Sequence, residues 1–547
     1  MQMKYKADAS VTVFLTLLFG LILAVVTATF ENVRFLTVDA YMRLAAESAA
    51  MSVFGDYNRE LFQEYGLFGY GGYAGYGVTE LSKAYDKALS ANLQTEPGEQ
   101  DAAFNNIARK SGEYTSLYRI SVVGTDLGEI RNITEASLFY EQMEAYLKTK
   151  VVLDLGEKIK GTYQDMANTD SGKSIQKNLD KTSEYEHGVY EEAVEEGDSI
   201  GQETDNSQEE RDAEKAEEAS APDHAGGNPL ETFRELLRDG TLNLVCDAKR
   251  LSKENIHTAY SKQKQEGTVQ ANDSKKTGAA DLLKNLLAGN ETVFANDALR
   301  ASDRQMQLIR YVQHVFPNYM KSGKQHFCYG LEYLVSGSEQ ERDNLQGIIN
   351  RLLLIRTVCN FAYVHSDAGL QAESLATATK IAGALGLPIL VTAIQQTILL
   401  ILSVEESCVD ITALLDGKSV PVLKNKGNFQ VTYPEICSVN KKMFQVKAEK
   451  YRDSGQVWRN GVLDYQQYLW LLLMMVPEKT LRLRTYDLIQ DDLQMRYNAT
   501  FSLEQCVSGI QYQINYRMPF LWSGFTVGDQ TTGAVSKTHS AYYCYQS

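Results

Sequence analysis

At 547 residues the chain is too long for one compact core, and the usual domain size implies about three units. Forty-four per cent apolar and 10% aromatic residues exclude a chain that is disordered throughout. The net charge of −16 is local: 16 acids between Glu184 and Asp223, against Arg211 and Lys215, carry −14 of it, and the near-neutral remainder lacks the basic face that nucleic acid requires.

The first element is apolar. Val11 to Phe30 contains 20 uncharged residues, which as a helix span roughly 30 Å, the hydrocarbon thickness of a bilayer. A cleavable signal peptide has a shorter apolar core with a small-residue site behind it, and Ala28 is the weak counterpart here. The run instead continues into Glu31 and Arg34 without a break. Val33, Val38, Tyr41, Leu44, Ala45 and Ala49 keep helical spacing, and no Gly or Pro intervenes between Leu21 and Phe54. One helix of about 65 Å is predicted, half in lipid and half an amphipathic stalk. Gly20, Ala24 and Ala28 fall four apart on one stripe, where small residues allow a neighbouring helix to approach. Lys4 and Lys6 before the span balance Arg34 and Arg43 after it, so charge alone gives no orientation.

Tyr65 to Gly77 is rich in Gly and Tyr and reads as an irregular loop on the stalk base. Tyr118, Ile120 and Val122 alternate with polar residues as a half-buried strand does, Thr125 to Gly128 reads as a turn, and a helix follows through Leu138, Met143 and Leu147. From 183 to 228 acids dominate, and a stretch that buries so little surface is expected to be disordered. Leu230 to Leu237 is a short amphipathic segment, and Ser252 to Lys276 is polar and reads as mobile. A helical core begins near Arg304. Ile381 to Ser403 has 23 uncharged residues, but Gly386 and Pro388 divide it, Gln395 and Gln396 interrupt its second half, and Glu405 follows; it reads as a buried helical hairpin. Tyr468 to Val476 is too short to span a membrane and reads as core. Ile510, Tyr512, Ile514, Tyr516 and Met518 alternate with Gln511, Gln513, Asn515 and Arg517, the clearest strand in the chain, and its expected partner is the strand around Tyr118–Val122.

No chemical constellation emerges. G-x-S-x-G, H-E-x-x-H, the phosphate-binding loop and the dinucleotide-binding glycine pattern are all missing from the sequence. His326-x-Cys328 offers two metal ligands without a third at suitable spacing. Asp487, Asp491 and Asp492 read as the wet face of an amphipathic helix. Seven cysteines, widely spaced and odd in number, form neither a disulfide framework nor a zinc pattern, though a Cys506–Cys544 bridge is left open. No catalytic residue, cofactor or metal is assigned.

Ser10-Val11-Thr12-Val13-Phe14-Leu15 and the apolar run behind it resemble the start of Tad/Flp-type pseudopilins, the TadE/TadG-like proteins. Asp56 to Leu61, Glu64 to Gly69, Asn350 to Leu354, Asp464 to Leu469 and Tyr486 to Gln490 resemble an uncharacterised domain family of Gram-positive membrane proteins found near Tad pilus genes. The resemblance implies a cytoplasmic N-terminus, an extracytoplasmic body and protein partners in a pilus or secretion assembly. It also implies a short leader, 1–9, with Ala9 and Ser10 flanking the processing point. If Ala9 stands for the Gly of a prepilin site, the fifth residue is Phe14 rather than the usual Glu, which argues against a major pilin.

The expected fold is α+β and predominantly helical: a transmembrane helix continuing as a stalk (10–55), a pilin-like α/β region (56–182), an acidic linker (183–228), a helical domain (229–500) and a C-terminal strand region (501–547) with a small antiparallel sheet. The expected function is a non-enzymatic, single-pass, pseudopilin-like accessory protein held in the cytoplasmic membrane through residues 11–30. A membrane-tethered extracellular hydrolase and a free-standing cell-surface adhesin are the alternatives.

Overall fold

The structure is a computed structural model that describes residues 2–73, 77–93, 120–149, 241–246, 251–263, 303–436, 440–453, 461–520, 526–527, 530–531 and 533–545. The acidic linker and the Leu230–Leu237 segment lie outside the described residues. The architecture is predominantly helical α+β, as the sequence predicts, in two compact units: residues 1–150 with 493–547, and residues 151–492 between them in the chain.

The first unit is built on α1 (Gln2–Phe54), 53 residues without interruption. It is followed by α2 (Arg59–Tyr65), β1 (Tyr70–Gly71), α3 (Val78–Leu93), β2 (Ser121–Asn132) and α4 (Ala136–Thr149). The chain returns at its C-terminal end with β6 (Cys506–Pro519) and β9 (Ala534–Cys544). All pairing is antiparallel and centres on β6, with β2 on one edge and β1 and β9 on the other. The two strand segments expected to pair do so, with Val122 opposite Tyr516. Thr125 to Gly128 is not a turn: it continues β2, Thr125 facing Ile514 and Leu127 facing Tyr512. Gly124 and the Gly128–Glu129 step mark irregularities in the ladder, so the glycines signal bulges within a strand.

The amphipathic half of α1 does not stand clear as a stalk. Its stripe Val38, Met42, Ala46, Ala49 and Ala50 is fully buried against α3 and the inner face of β6, where Ile510, Tyr512, Ile514, Tyr516 and Met518 are at most 1% exposed. The alanines bring the α1 backbone close enough for Tyr85 and Asn92 of α3 to donate to the carbonyls of Ala46 and Ala45 at 3.4 and 3.1 Å. Tyr516 Oη donates to Asp39 Oδ1 at 2.5 Å and ties the sheet to the helix. Gly66 ends α2 with φ +68°, and a Cβ there would meet the Tyr146 ring at 1.9 Å, so the turn depends on glycine.

The second unit is a helical bundle: α5 (Asp303–Val315), α6 (Gly330–Ser336), α7 (Glu341–Ser366), α8 (Ala368–Leu385), α9 (Val391–Leu415), α10 (Lys441–Ala448), α11 (Tyr465–Met474) and α12 (Glu478–Arg496). A small antiparallel sheet joins β3 (Lys418–Pro421) to β4 (Arg452–Asp453) and β5 (Val462–Leu463). A third ladder pairs β7 (Thr526–Val527) with β8 (Gln530–Thr531) in the C-terminal stretch. Every residue of α9 from Ile401 to Leu415 is buried, which makes this helix the axis of the bundle. The predicted break between α8 and α9 is present: Gly386 adopts φ +68° and Pro388 opens a single 3-10 turn. The base of that hairpin is core, but its tip is not, with Ile389 87% exposed. Tyr468 to Val476 is core in part: Tyr468, Leu469, Trp470, Leu472, Leu473 and Val476 are at most 8% exposed, while Met475 is 40% exposed. The polar segment from Ser252 is held rather than free over its described part, with Ile256 and Tyr260 buried.

Candidate membrane anchor

From Val11 to Phe30 no residue of α1 is buried, and large side chains such as Leu17 and Phe19 are 70% and 68% exposed. A solvent-facing helix surface of this kind is unstable in water and is matched by lipid. Its hydroxyls are already satisfied: Thr16, Thr27 and Thr29 donate to the carbonyls of Val13, Leu23 and Val25 at 2.8, 2.9 and 2.8 Å. Such back-bonding removes the penalty of carrying a hydroxyl into hydrocarbon. Gly20, Ala24 and Ala28 lie exposed on this segment, and nothing stands within 4 Å of a Cβ built on Gly20. Ala9 and Ser10 fall inside the same helix, immediately before the apolar run.

The boundary is sharp. Glu31 and Arg34, the first charges after the run, are 8% and 4% exposed and paired at 2.7 Å, and Arg34 Nη2 also donates to the Pro519 carbonyl at the end of β6 at 2.8 Å. Phe35 packs edge-on against Phe520 with ring centroids 5.3 Å apart. Folded body therefore begins within one helical turn of the lipid-compatible surface. A second helix, α7, is long and apolar enough to span by composition, but 56% of its apolar window is buried and it belongs to the bundle.

The helical body holds two polar clusters. In the first, Arg356 on α7 and Lys424 meet Asp410 and Glu406 on α9, all four side chains fully buried. The Arg356 guanidinium contacts Asp410 Oδ2 at 2.7 Å and the Val422 carbonyl at 3.0 Å; Lys424 Nζ lies 2.7 Å from both Glu406 Oε1 and Asp410 Oδ1. Glu406 Oε2 accepts the backbone N–H of Gln430 and Val431 at 2.9 and 2.8 Å. Burial pushes the Asp410 carboxyl up, but the two cations beside it outweigh this and hold it below the usual range. Two cations and two anions with their hydrogen bonds made form a buried clasp between α7, α9 and the segment that carries Lys424.

The second cluster corrects a sequence expectation. Asp487, Asp491 and Asp492 are not the wet face of α12; they are 0–1% exposed. Asp487 accepts the backbone N–H of Tyr260 at 2.6 Å, that of Ser261 at 3.2 Å and the Tyr333 hydroxyl at 3.0 Å. Asp491 meets His257 Nδ1 at 2.8 Å and His326 Nε2 at 3.0 Å, and Asp492 accepts the backbone N–H of His326 at 3.1 Å. The His326 ring approaches at ion-pair distance without hydrogen-bond alignment, so the contact is electrostatic. Burial would lower the imidazole's affinity for a proton; the carboxylates of Asp491 and Asp492 reverse this and raise its pKa to about 9. Spacing alone places these acids on one helical face and cannot say whether water or backbone N–H groups meet them. Cys328 is exposed, with its backbone N–H donated to Glu341 at 2.6 Å. Among the described residues no three His, Cys, Asp or Glu side chains are placed to hold a metal ion. Cys506 and Cys544 are free thiols, not a bridge.

Fold and surface together define a predominantly helical α+β protein whose N-terminal apolar helix is a single-pass membrane anchor or signal sequence. The chain belongs to a family of unknown function, DUF5702, whose profile matches residues 218–518. No curated protein and no solved structure matches it.

Proposed function

We propose that the chain is a membrane-anchored, extracytoplasmic, pseudopilin-like accessory protein of a Tad/Flp-type pilus or related secretion system, and that it acts by binding rather than by catalysis. The observation that carries this reading is the continuity of α1, whose apolar, unburied first half passes into the core helix of an antiparallel sheet without a break. That division of labour along one rod is what the resemblance at Ser10–Leu15 leads one to expect of a pseudopilin. The unbroken helix also favours retention over removal, since a peptidase needs extended backbone and residues 25 to 34 are regular α-helix. Within the membrane, Gly20, Ala24 and Ala28 would admit a partner helix; outside it, the folded body would supply specific contacts.

The test is co-purification from gently solubilised membranes with N-terminal sequencing of the recovered chain. Pilus-assembly components accompanying the intact span support the reading. Recovery of the protein alone, or of a chain beginning near residue 29, counts against it.

A further inference from the structure

Inside the clasp of the helical body, one amine stands between two carboxylates that are held in different ways. Lys424 Nζ lies 2.7 Å from Glu406 Oε1 and 2.7 Å from Asp410 Oδ1, and none of the three side chains has exposed surface. Asp410 is claimed on its other oxygen by Arg356 Nε and Nη2, at 2.9 and 2.7 Å, and by Asn360 Nδ2 at 3.0 Å. Glu406 instead offers its other oxygen to two successive backbone N–H groups, Gln430 at 2.9 Å and Val431 at 2.8 Å. Tyr451 completes the group, its Oη in contact with Lys424 Nζ, 2.8 Å from Asp410 Oδ1 and 3.2 Å from Glu406 Oε1.

We propose that Lys424 Nζ and Glu406 Cδ join in an amide, an intramolecular isopeptide bond formed inside the folded bundle with the loss of one water. Each neighbour has a part in that condensation. A proton passing from the Lys424 ammonium to Glu406 Oε1 leaves a neutral amine facing a neutral acid. Burial favours the exchange, because it raises the Glu406 carboxyl above its ordinary value against the pull of Lys424. The amine attacks Cδ, and the charge that develops on Oε2 falls on the Gln430 and Val431 N–H groups, paired donors of the kind that hold a tetrahedral oxyanion. Asp410 Oδ1 takes a proton from the nitrogen, and Arg356 keeps Asp410 ionised for that task. Tyr451 gives its proton to Oε1 and recovers one from Asp410; Cδ–Oε1 breaks, water leaves, and Asp410 is a carboxylate again. No oxidant or cofactor enters the balance. Two features favour the forward direction. The groups are held in contact by the fold, which replaces an encounter between separate molecules. The product also exchanges two buried charges for a neutral amide and leaves Arg356 and Asp410 as a balanced pair, which removes a desolvation cost. The bond would fasten the middle of α9 to a residue 18 positions further on, across the turn that carries β3.

The full-length protein, unfolded in guanidinium chloride, is treated with acetic anhydride to acylate free lysines, then cleaved at arginine and sequenced by tandem mass spectrometry. The expected result is a fragment short of one water, with Lys424 unacetylated and bonded to Glu406. In Glu406→Ala, Lys424 should be acetylated. In Asp410→Asn, which keeps both joined residues and loses the base, the linked fraction should fall about tenfold. An acetylated Lys424 in the wild-type chain, with no water lost, overturns the proposal whatever the variants do. A bond from Lys424 to Asp410, or linkage undiminished in Asp410→Asn, overturns the assignment of acceptor and base.

Discussion

Arg356 and Asp410, 54 positions apart, meet inside the helical bundle with both side chains excluded from water and both Nε and Nη2 within 2.9 Å of one carboxylate oxygen. A buried pair adds little over an apolar pair of the same shape, yet stranding one member is severe. Arg356→Ala leaves Asp410 with Lys424 as its remaining cation and should cost roughly 3–5 kcal/mol by chemical denaturation. A loss below about 1 kcal/mol would show that water reaches the site.

The His326 imidazole gives the body a pH dependence whose sign is fixed. Its folded pKa of about 9 lies above the unfolded value of 6.5, so the stabilisation is fully present below about pH 6.5 and is lost as pH rises through about 9. Denaturation midpoints of wild type should fall across that window. In His326→Gln the fall should be largely removed, and an unchanged profile would refute the assignment.

Gly66 sits where a side chain has neither the backbone conformation nor the room, with φ +68° and the Tyr146 ring 1.9 Å from a Cβ. Gly66→Ala should lower stability by roughly 2–3 kcal/mol, and Tyr146→Ala in the same chain should recover the steric part but not the backbone part. Thermal melts of the single and double variants separate the two.

The anchor can be tested apart from its packing stripe. Leu21→Arg places a charge near the middle of the apolar span, at about 2.5–3.5 kcal/mol for insertion, and should shift protein from the membrane to the carbonate-extractable fraction. Gly20→Ile with Ala24→Ile leaves the span apolar, so membrane retention should persist while co-purified partners fall. Equal recovery of partners would remove the stripe from the interface.

Much of this architecture is legible in the sequence because it is written in local periods. The uninterrupted helical spacing after Phe30, the two-residue alternation from Ile510 to Met518 and the Gly386–Pro388 break each reappear in the structure. What escapes is set by distant partners. The acids of α12 look solvent-facing until residues 257–261 and 326 arrive to meet them. Thr125 to Gly128 has turn composition, but a ladder against β6 overrides it. In the sequence Arg356, Glu406 and Asp410 are charges set among aliphatic neighbours, a pattern that marks burial without naming the partner.

The Glu31–Arg34 joint, clamped onto the Pro519 carbonyl, has a mechanical consequence. With no swivel between the apolar run and the sheet, any tilt or roll of α1 turns the first unit through the same angle. A pull along its axis would load Tyr516–Asp39 and the neighbouring helix–sheet contacts in shear. If α1 is retained in lipid as proposed, the first unit is geared to the bilayer that holds it.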